Sequence, residues 1–216
     1  MNAMTATAAD LPTILDHRNG LLVRRREHVQ DFCLGQGELD RFNDLLARLG
    51  RKDSPLDRDQ LATAARELSD SNMPDVAPPC IDERMRRVDP LTRMIGSRDW
   101  TPVNDAIDVA TTVVEYVRRD DDLIPDRLRR VGRLDDAIVI ETAWPRLAAE
   151  VASYLDYCRL HLVEASLRGL GATSFRFTRS DWEAARAAEA TLEAQLRRIR
   201  THSYLPAAAA NLFQIH

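Results

Sequence analysis

The chain has 216 residues, of which 44% are hydrophobic and 30% charged, and its formal net charge is −4. This composition is typical of a globular protein and excludes a largely disordered chain. It also disfavours a general nucleic-acid binder, because such proteins normally carry a strongly basic domain or stripe. No run of 18 apolar residues occurs, so we expect no transmembrane segment.

The start of the sequence and its cysteines bear on the cellular compartment. The segment MNAMTATAADLPT has neither the basic region nor the apolar core of a secretory signal. Three cysteines, Cys33, Cys80 and Cys158, lie far apart without CxxC spacing, as is usual for reduced thiols. We therefore expect a cytoplasmic protein, and the sequence specifies no oligomeric state.

Apolar residues recur with a period near 3.6 along most of the chain, which is typical of α-helices. The first predicted helix has an apolar face of Leu22, Val29, Phe32 and Cys33 and ends at Gly35. The second has an apolar face of Leu39, Phe42, Leu46 and Leu49 and ends at Gly50. The third has an apolar face of Leu61, Ala65 and Leu68. The stretch SDSNMPDVAPP, residues 69–79, has three prolines and is predicted to be a linker or loop. It would separate an N-terminal helical region, 1–68, from a helical domain, 80–216, unless both pack as a single domain.

Two further helices are predicted after this loop. One begins near Cys80 and is expected to break or kink at Pro90, because proline removes a helical hydrogen bond. The next has Thr101 at the N-cap and Pro102 as its first helical residue.

The longest periodic segment runs over residues 136–168. The last long helix opens with SDWE, in which Ser180 and Glu183 have the spacing of a capping box. These patterns predict an all-α fold, an irregular bundle of about seven helices with a central helical hairpin around residues 101–168.

Charge is concentrated at one turn, where residues 118–136 hold six arginines and six aspartates. Pro125 suits the first position of a short helix and places Asp126 in its first turn, near the positive end of the helix dipole. Asp135 is predicted to be the N-cap of the following long helix, with Asp136 in the first turn. Helix capping therefore accounts for each of these acids singly.

The residues around this turn resemble the motif Y-x-x-S-P-x-D-L-I-P-D-x-I-P-x-x-G-x-L-D-D-A of the YkvA-like bacterial domains. The chain matches it without a gap at Tyr116, Asp122, Leu123, Ile124, Pro125, Asp126, Gly132, Leu134, Asp135, Asp136 and Ala137. The match covers residues 116–137 only. The resemblance implies a family without an assigned biochemical activity, in which many members are associated with membranes.

The chain departs from this motif where membrane association would matter. Arg119 and Asp120 replace the usual Ser-Pro, Arg129 replaces the second proline, and Arg127 and Arg133 occupy positions that are often apolar or aromatic. Arginine at bilayer depth costs several kcal/mol on insertion scales. We therefore expect a variant that is soluble.

Two hypotheses explain the acids of the turn. In the first they cap helices and pair with the neighbouring arginines. In the second, Asp122, Asp126, Asp135 and Asp136 converge on a divalent cation, which requires several hard oxygen ligands. Capping is the simpler explanation, because it does not require the four side chains to converge. No cofactor is therefore expected unless the acids bind such a cation.

No catalytic constellation or phosphate-binding loop is recognisable in the sequence. The leading functional hypothesis is a non-enzymatic interaction or regulatory protein that presents residues 118–136 to a protein or anionic partner. Its candidate contact residues are Arg118, Arg119, Arg127, Arg129, Arg130 and Arg133. The alternatives are a metal-dependent enzyme or metal-binding protein using the four aspartates, and a peripheral membrane-associated protein.

Overall fold

The computed structural model is mainly helical and confirms the all-α class. It describes residues 10–16, 27–70, 77–103, 106–119 and 122–202. The chain divides into two compact units, Met1–Leu155 and Asp156–His216. Part of the predicted linker at 69–79 lies outside the described residues, and the domain boundaries predicted around it stay a prediction. Among the described helices, none is long and apolar enough to cross a membrane.

The first predicted helix is wrong over its described part, where the chain forms an antiparallel hairpin. Strand β1 (His28–Val29) pairs with β2 (Phe32–Cys33). Gln30, in the turn between them, has a φ of 54°, a left-handed conformation that a right-handed helix cannot contain. Leu22 of this predicted helix lies outside the described residues. A short 3-10 helix, Thr13–Leu15, precedes the hairpin.

The second and third predicted helices are confirmed as α1 (Gln36–Leu49) and α2 (Arg58–Ser69). Gly50 follows α1 with a φ of 116°, so this glycine provides the left-handed C-terminal stop that the sequence predicts. A capping box opens α2: the Gln60 N–H donates to Asp57 Oδ1 at 2.8 Å, and the Asp57 N–H donates to Gln60 Oε1 at 2.9 Å.

The next segment forms two helices, α3 (Pro79–Met85) and α4 (Val88–Gly96). The predicted break at Pro90 is wrong in position, because the interruption lies at residues 86–87 and Pro90 sits in the first turn of α4. In a first turn the missing N–H of proline costs no helical hydrogen bond. If α3 and α4 are counted as one interrupted helix, the described residues contain six α-helices, and the sequence predicts about seven.

Helices α5 (Ala106–Val117) and α6 (Leu134–Leu167) flank the charged turn, as the predicted hairpin requires. The start of α5 was predicted too early, since Thr101 and Pro102 precede the helix and it begins at Ala106. Pro145 lies inside α6.

Hydrogen bonds from two buried side chains attach α6 to other parts of the first unit. Arg84 of α3, only 3% exposed, donates from Nε to Glu141 Oε2 at 2.9 Å. Trp100, which follows α4, donates from Nε1 to Glu150 Oε1 at 2.9 Å. Because leaving a buried polar group unpaired is costly, these bonds fix the position of α6 and of the charged turn at its N-terminus.

The second unit contains the last part of α6 and helix α7 (Arg179–His202). The cap of α7 differs from the prediction. Asp181 Oδ2 accepts hydrogen bonds from the Thr178 N–H at 2.8 Å and the Thr178 hydroxyl at 2.7 Å, two residues before the predicted Ser180–Glu183 box. Within this unit the Tyr157 hydroxyl donates to the Phe177 carbonyl at 2.7 Å.

Candidate metal centre

The charged turn is held in place by its apolar side chains. The predicted short helix after Pro125 does not form as such, and the segment instead makes a series of tight turns. The Leu128 N–H donates to the Pro125 carbonyl at 2.9 Å, and the Gly132 N–H donates to the Leu128 carbonyl at 3.0 Å. The buried apolar residues of the turn are Leu123, Ile124, Leu128, Val131 and Leu134. Their burial brings the backbone that carries Asp122 and Asp126 against the start of α6.

Gly132 is required by a close approach of the backbone. A Cβ atom at this position would lie 2.4 Å from the Asp126 carbonyl oxygen and 2.8 Å from that of Leu128. Both distances are well below van der Waals contact, and both partners are backbone atoms that cannot rotate away. The absence of a side chain at Gly132 thus allows Asp126 to approach the N-terminus of α6.

Asp135 does not occupy the N-cap that the sequence predicts for it. Helix α6 begins at Leu134, so Asp135 lies in the first turn of the helix. Its Oδ2 atom accepts the Tyr116 hydroxyl at 2.8 Å and the Ile124 N–H at 3.0 Å. Asp135 therefore links α5, the charged turn and α6 instead of capping its own helix.

Three of the four predicted metal ligands come together. Asp122, Asp126 and Asp136 each place a carboxylate oxygen within 4.8 Å of the other two. Asp136 is 0% exposed, and neither of its carboxylate oxygens has a hydrogen-bond partner among the described residues. Asp122 is half-buried and Asp126 is exposed, so the cluster is accessible from solvent on the Asp126 side. The fourth predicted ligand, Asp135, is buried beside this group but is not part of it.

Burial and mutual repulsion change the ionisation of the two acids at the start of α6. Desolvation, together with the negative charges of Asp135, Asp126 and Asp122, raises the pKa of Asp136 to about 8. Desolvation also raises the pKa of Asp135 to about 7, against the lowering effect of its hydrogen bonds from Ile124 and Tyr116. At neutral pH the Asp136 carboxyl group is therefore largely protonated in the metal-free chain.

The geometry of the three carboxylates fits a divalent cation. Oxygen ligands lie about 2.3 to 2.6 Å from Ca²⁺, so two ligands on opposite sides of the ion are separated by up to about 5 Å. The 4.8 Å limit for Asp122, Asp126 and Asp136 falls inside that span. For Mg²⁺, at about 2.1 Å from its ligands, the corresponding span is about 4.2 Å.

The six candidate partner-binding arginines do not share one environment. Arg130 is half-buried and donates to the Leu68 carbonyl at 3.1 Å, which attaches the turn to α2. Arg133 lies 3.7 Å from Asp126 Oδ2, at the edge of ion-pair distance. The remaining four are exposed: Arg118, Arg119, Arg127 and Arg129.

Sequence reasoning missed the role of Tyr116. The residue appears in the motif, but its bond to Asp135 was not predicted. Phe42 of α1 packs against its ring, with 5.8 Å between the ring centroids, and burial helps to raise the pKa of the Tyr116 hydroxyl above its usual range. A tyrosine 19 residues before an aspartate carries no local signal of such a contact.

Comparisons of the chain with protein-family models, with curated proteins and with solved structures gave no match. The resemblance to the YkvA-like domains therefore rests on the motif at residues 116–137, and it stays a prediction, as does the expected location in the cytoplasm.

Proposed function

We propose that this chain binds a divalent metal ion through the carboxylates of Asp122, Asp126 and Asp136. The observation that carries the proposal is the state of Asp136. Its carboxylate is fully buried, accepts no hydrogen bond from any described residue, and faces two other carboxylates within 4.8 Å. A buried carboxylate is costly to a fold unless it is paired or coordinates a metal ion.

Helix capping does not explain Asp136, although it was the simpler hypothesis for the sequence. A capping carboxylate accepts a backbone N–H of the first turn, and Asp136 accepts none from the described residues. Asp135, by contrast, has a structural role through its bonds to Tyr116 and Ile124. The two adjacent aspartates thus have different roles: Asp135 joins α5 and the charged turn to α6, and Asp136 is available to a cation.

A bound cation would also remove the electrostatic cost of the cluster. Burial and the repulsion of three other acids raise the pKa of Asp136, and the positive charge of Arg133 opposes this rise. Two positive charges among these carboxylates would favour their ionised forms and displace the proton from Asp136. Metal binding should therefore release protons and become tighter as the pH rises towards 8.

Titration calorimetry of chelator-treated protein with Mg²⁺, Mn²⁺ and Ca²⁺ tests this proposal. We expect one site per chain for at least one of these ions and a rise in melting temperature at saturation, because a ligand that binds only the folded state stabilises it. Asp126→Asn should weaken binding at least tenfold, and Asp108→Asn, which changes an exposed aspartate of α5 outside the cluster, should not. Absence of heat and of thermal stabilisation with all three ions would refute the proposal.

The exposed arginines support a second candidate function, binding of a protein or anionic partner by the surface at 118–136. Arg118 and Arg127 are both exposed, and neither forms an ion pair with another described residue. An Arg118→Glu, Arg127→Glu double variant should lose a partner that the wild-type chain captures from a cell extract of its source. Equal capture by both proteins would contradict this function without affecting the metal proposal.

A further inference from the structure

A groove of about 850 Å³ in the first unit is lined by residues of α1, α5 and the charged turn, and it shares Asp122 with the proposed metal site. Phe42 and Leu45 of α1, Tyr116 of α5, and Asp122 and Leu123 of the charged turn are among the residues that line it. Asp122 is shared, since it lines the groove and also places an oxygen within 4.8 Å of Asp126 and Asp136. An ion held by the three aspartates would therefore be adjacent to a ligand in the groove.

Two guanidinium groups in this groove are available to an anion. Arg48 of α1 and Arg119, just after α5, are exposed, and neither side chain forms an ion pair with another described residue. The third arginine of the groove, Arg41, is engaged with Glu38 at 3.3 Å. Guanidinium groups bind phosphate oxygens through charge-assisted and often bidentate hydrogen bonds.

Because of the charge of the groove, binding of an anion depends on the bound metal. Its lining has four acidic and three basic side chains, and Asp126 of the neighbouring cluster adds further negative charge. An anion would thus be repelled from the metal-free groove. A divalent cation offsets negative charge at this position and offers coordination positions to phosphate oxygens, and Mg²⁺ in particular is commonly held by one or two carboxylates together with the phosphate oxygens of a ligand.

We infer that the groove binds a phosphate group, which coordinates the cation beside Asp122 and is held by Arg119 and Arg48. The inference rests on the proposed metal site and names the class of ligand that this site takes. The metal binds first, because the groove is unfavourable to an anion without it. Three carboxylates leave further coordination positions on a six-coordinate ion, and phosphate oxygens occupy them.

Calorimetric titration with inorganic phosphate, at saturating Mg²⁺ and separately in a chelator, tests this inference on the full chain. We expect phosphate to bind only in the presence of Mg²⁺. Arg119→Ala should weaken phosphate binding about tenfold, the loss expected for one charge-assisted hydrogen bond, and leave Mg²⁺ affinity unchanged. Arg118→Ala, which removes a neighbouring exposed arginine that does not line the groove, should change neither affinity.

The outcomes separate this inference from the proposed function. If Mg²⁺ binds and phosphate does not, or if Arg118→Ala and Arg119→Ala weaken phosphate binding equally, the groove assignment is wrong and the metal site stands. Phosphate binding of equal strength in the chelator also overturns it. If no cation binds, both proposals fail together.

Discussion

The Tyr116 hydroxyl donates a 2.8 Å hydrogen bond to Oδ2 of Asp135 and so joins the end of α5 to the first turn of α6. The same oxygen accepts the Ile124 N–H of the charged turn. With Asp135 engaged in this way, the adjacent Asp136 is left fully buried beside Asp122 and Asp126. The arrangement fixes the geometry of the cluster through one aspartate and presents another to a ligand.

The first prediction concerns the pH dependence of stability. The pKa of Asp136 is raised from 3.8 to about 8 in the folded chain. Between these values the folded state holds a proton that the unfolded state has lost, so the free energy of unfolding should fall as the pH rises from about 4 to 8. Urea unfolding of the metal-free chain at pH 5.5 and pH 8.5 measures this loss.

Asp136→Asn should reduce the loss of stability between low and high pH, because an amide carries no charge to desolvate. At pH 8.5 in a chelator we expect the variant to be more stable than the wild type by about 2 kcal/mol, the scale of a buried unsatisfied polar group. Asp108→Asn serves as the matched exposed control. A variant that is less stable than the wild type at both pH values would mean that Asp136 has a structural role instead.

Tyr116→Phe tests the link between α5 and α6. The phenyl ring keeps the packing against Phe42, and the variant loses the hydrogen bond to Asp135. We expect the free energy of unfolding to fall by about 1 to 2 kcal/mol. Thermal unfolding of both proteins measures the difference, and an unchanged melting temperature would contradict the proposed role of Tyr116.

Gly132→Ala tests the close approach of the turn to α6. The new Cβ would meet the Asp126 carbonyl oxygen at 2.4 Å, so the backbone that carries Asp126 must move. We expect a destabilisation of about 2 kcal/mol or more, together with weaker metal binding. The control is Gly96→Ala, since a Cβ at Gly96 has no atom within 4 Å. Equal effects of the two substitutions would show that the approach at Gly132 is unimportant.

In the second unit, Asp156 joins α6 to α7. Its carboxylate accepts Trp182 Nε1–H at 2.8 Å and a hydrogen bond from Arg186, which lowers its pKa to about 2. This contribution to stability is present above pH 4 and is lost as the pH falls towards 2. Asp156→Asn should cost about 1 kcal/mol at neutral pH and increase amide hydrogen exchange in the first turns of α7. Unchanged exchange there would contradict the assignment.

Local patterns were sufficient to predict most of the helices. The 3.6-residue period and the glycine stop at Gly50 both act within a few residues, so the sequence carries their signals directly. The hairpin at His28–Cys33 was missed because strands of two residues are too short for an alternating pattern to differ from a helical one.

Three of the four predicted ligands belong to the candidate site, but the separate roles of Asp135 and Asp136 could not be predicted. Four acids near Pro125 suggested a cation, yet sequence spacing cannot show which of Asp135 and Asp136 turns towards Tyr116. That choice depends on contacts between positions far apart in the chain, such as the Tyr116–Phe42 packing. The burial of Arg84 against Glu141, 57 positions away, was unpredictable for the same reason.

The most direct test of the metal site is an anomalous difference map from crystals of the wild-type chain grown with Mn²⁺. The account predicts a single strong peak in the first unit, within about 2.5 Å of carboxylate oxygens of Asp122, Asp126 and Asp136, that is absent from crystals of Asp136→Asn. A map without a peak at these three residues, or with an equal peak in the variant, would contradict it.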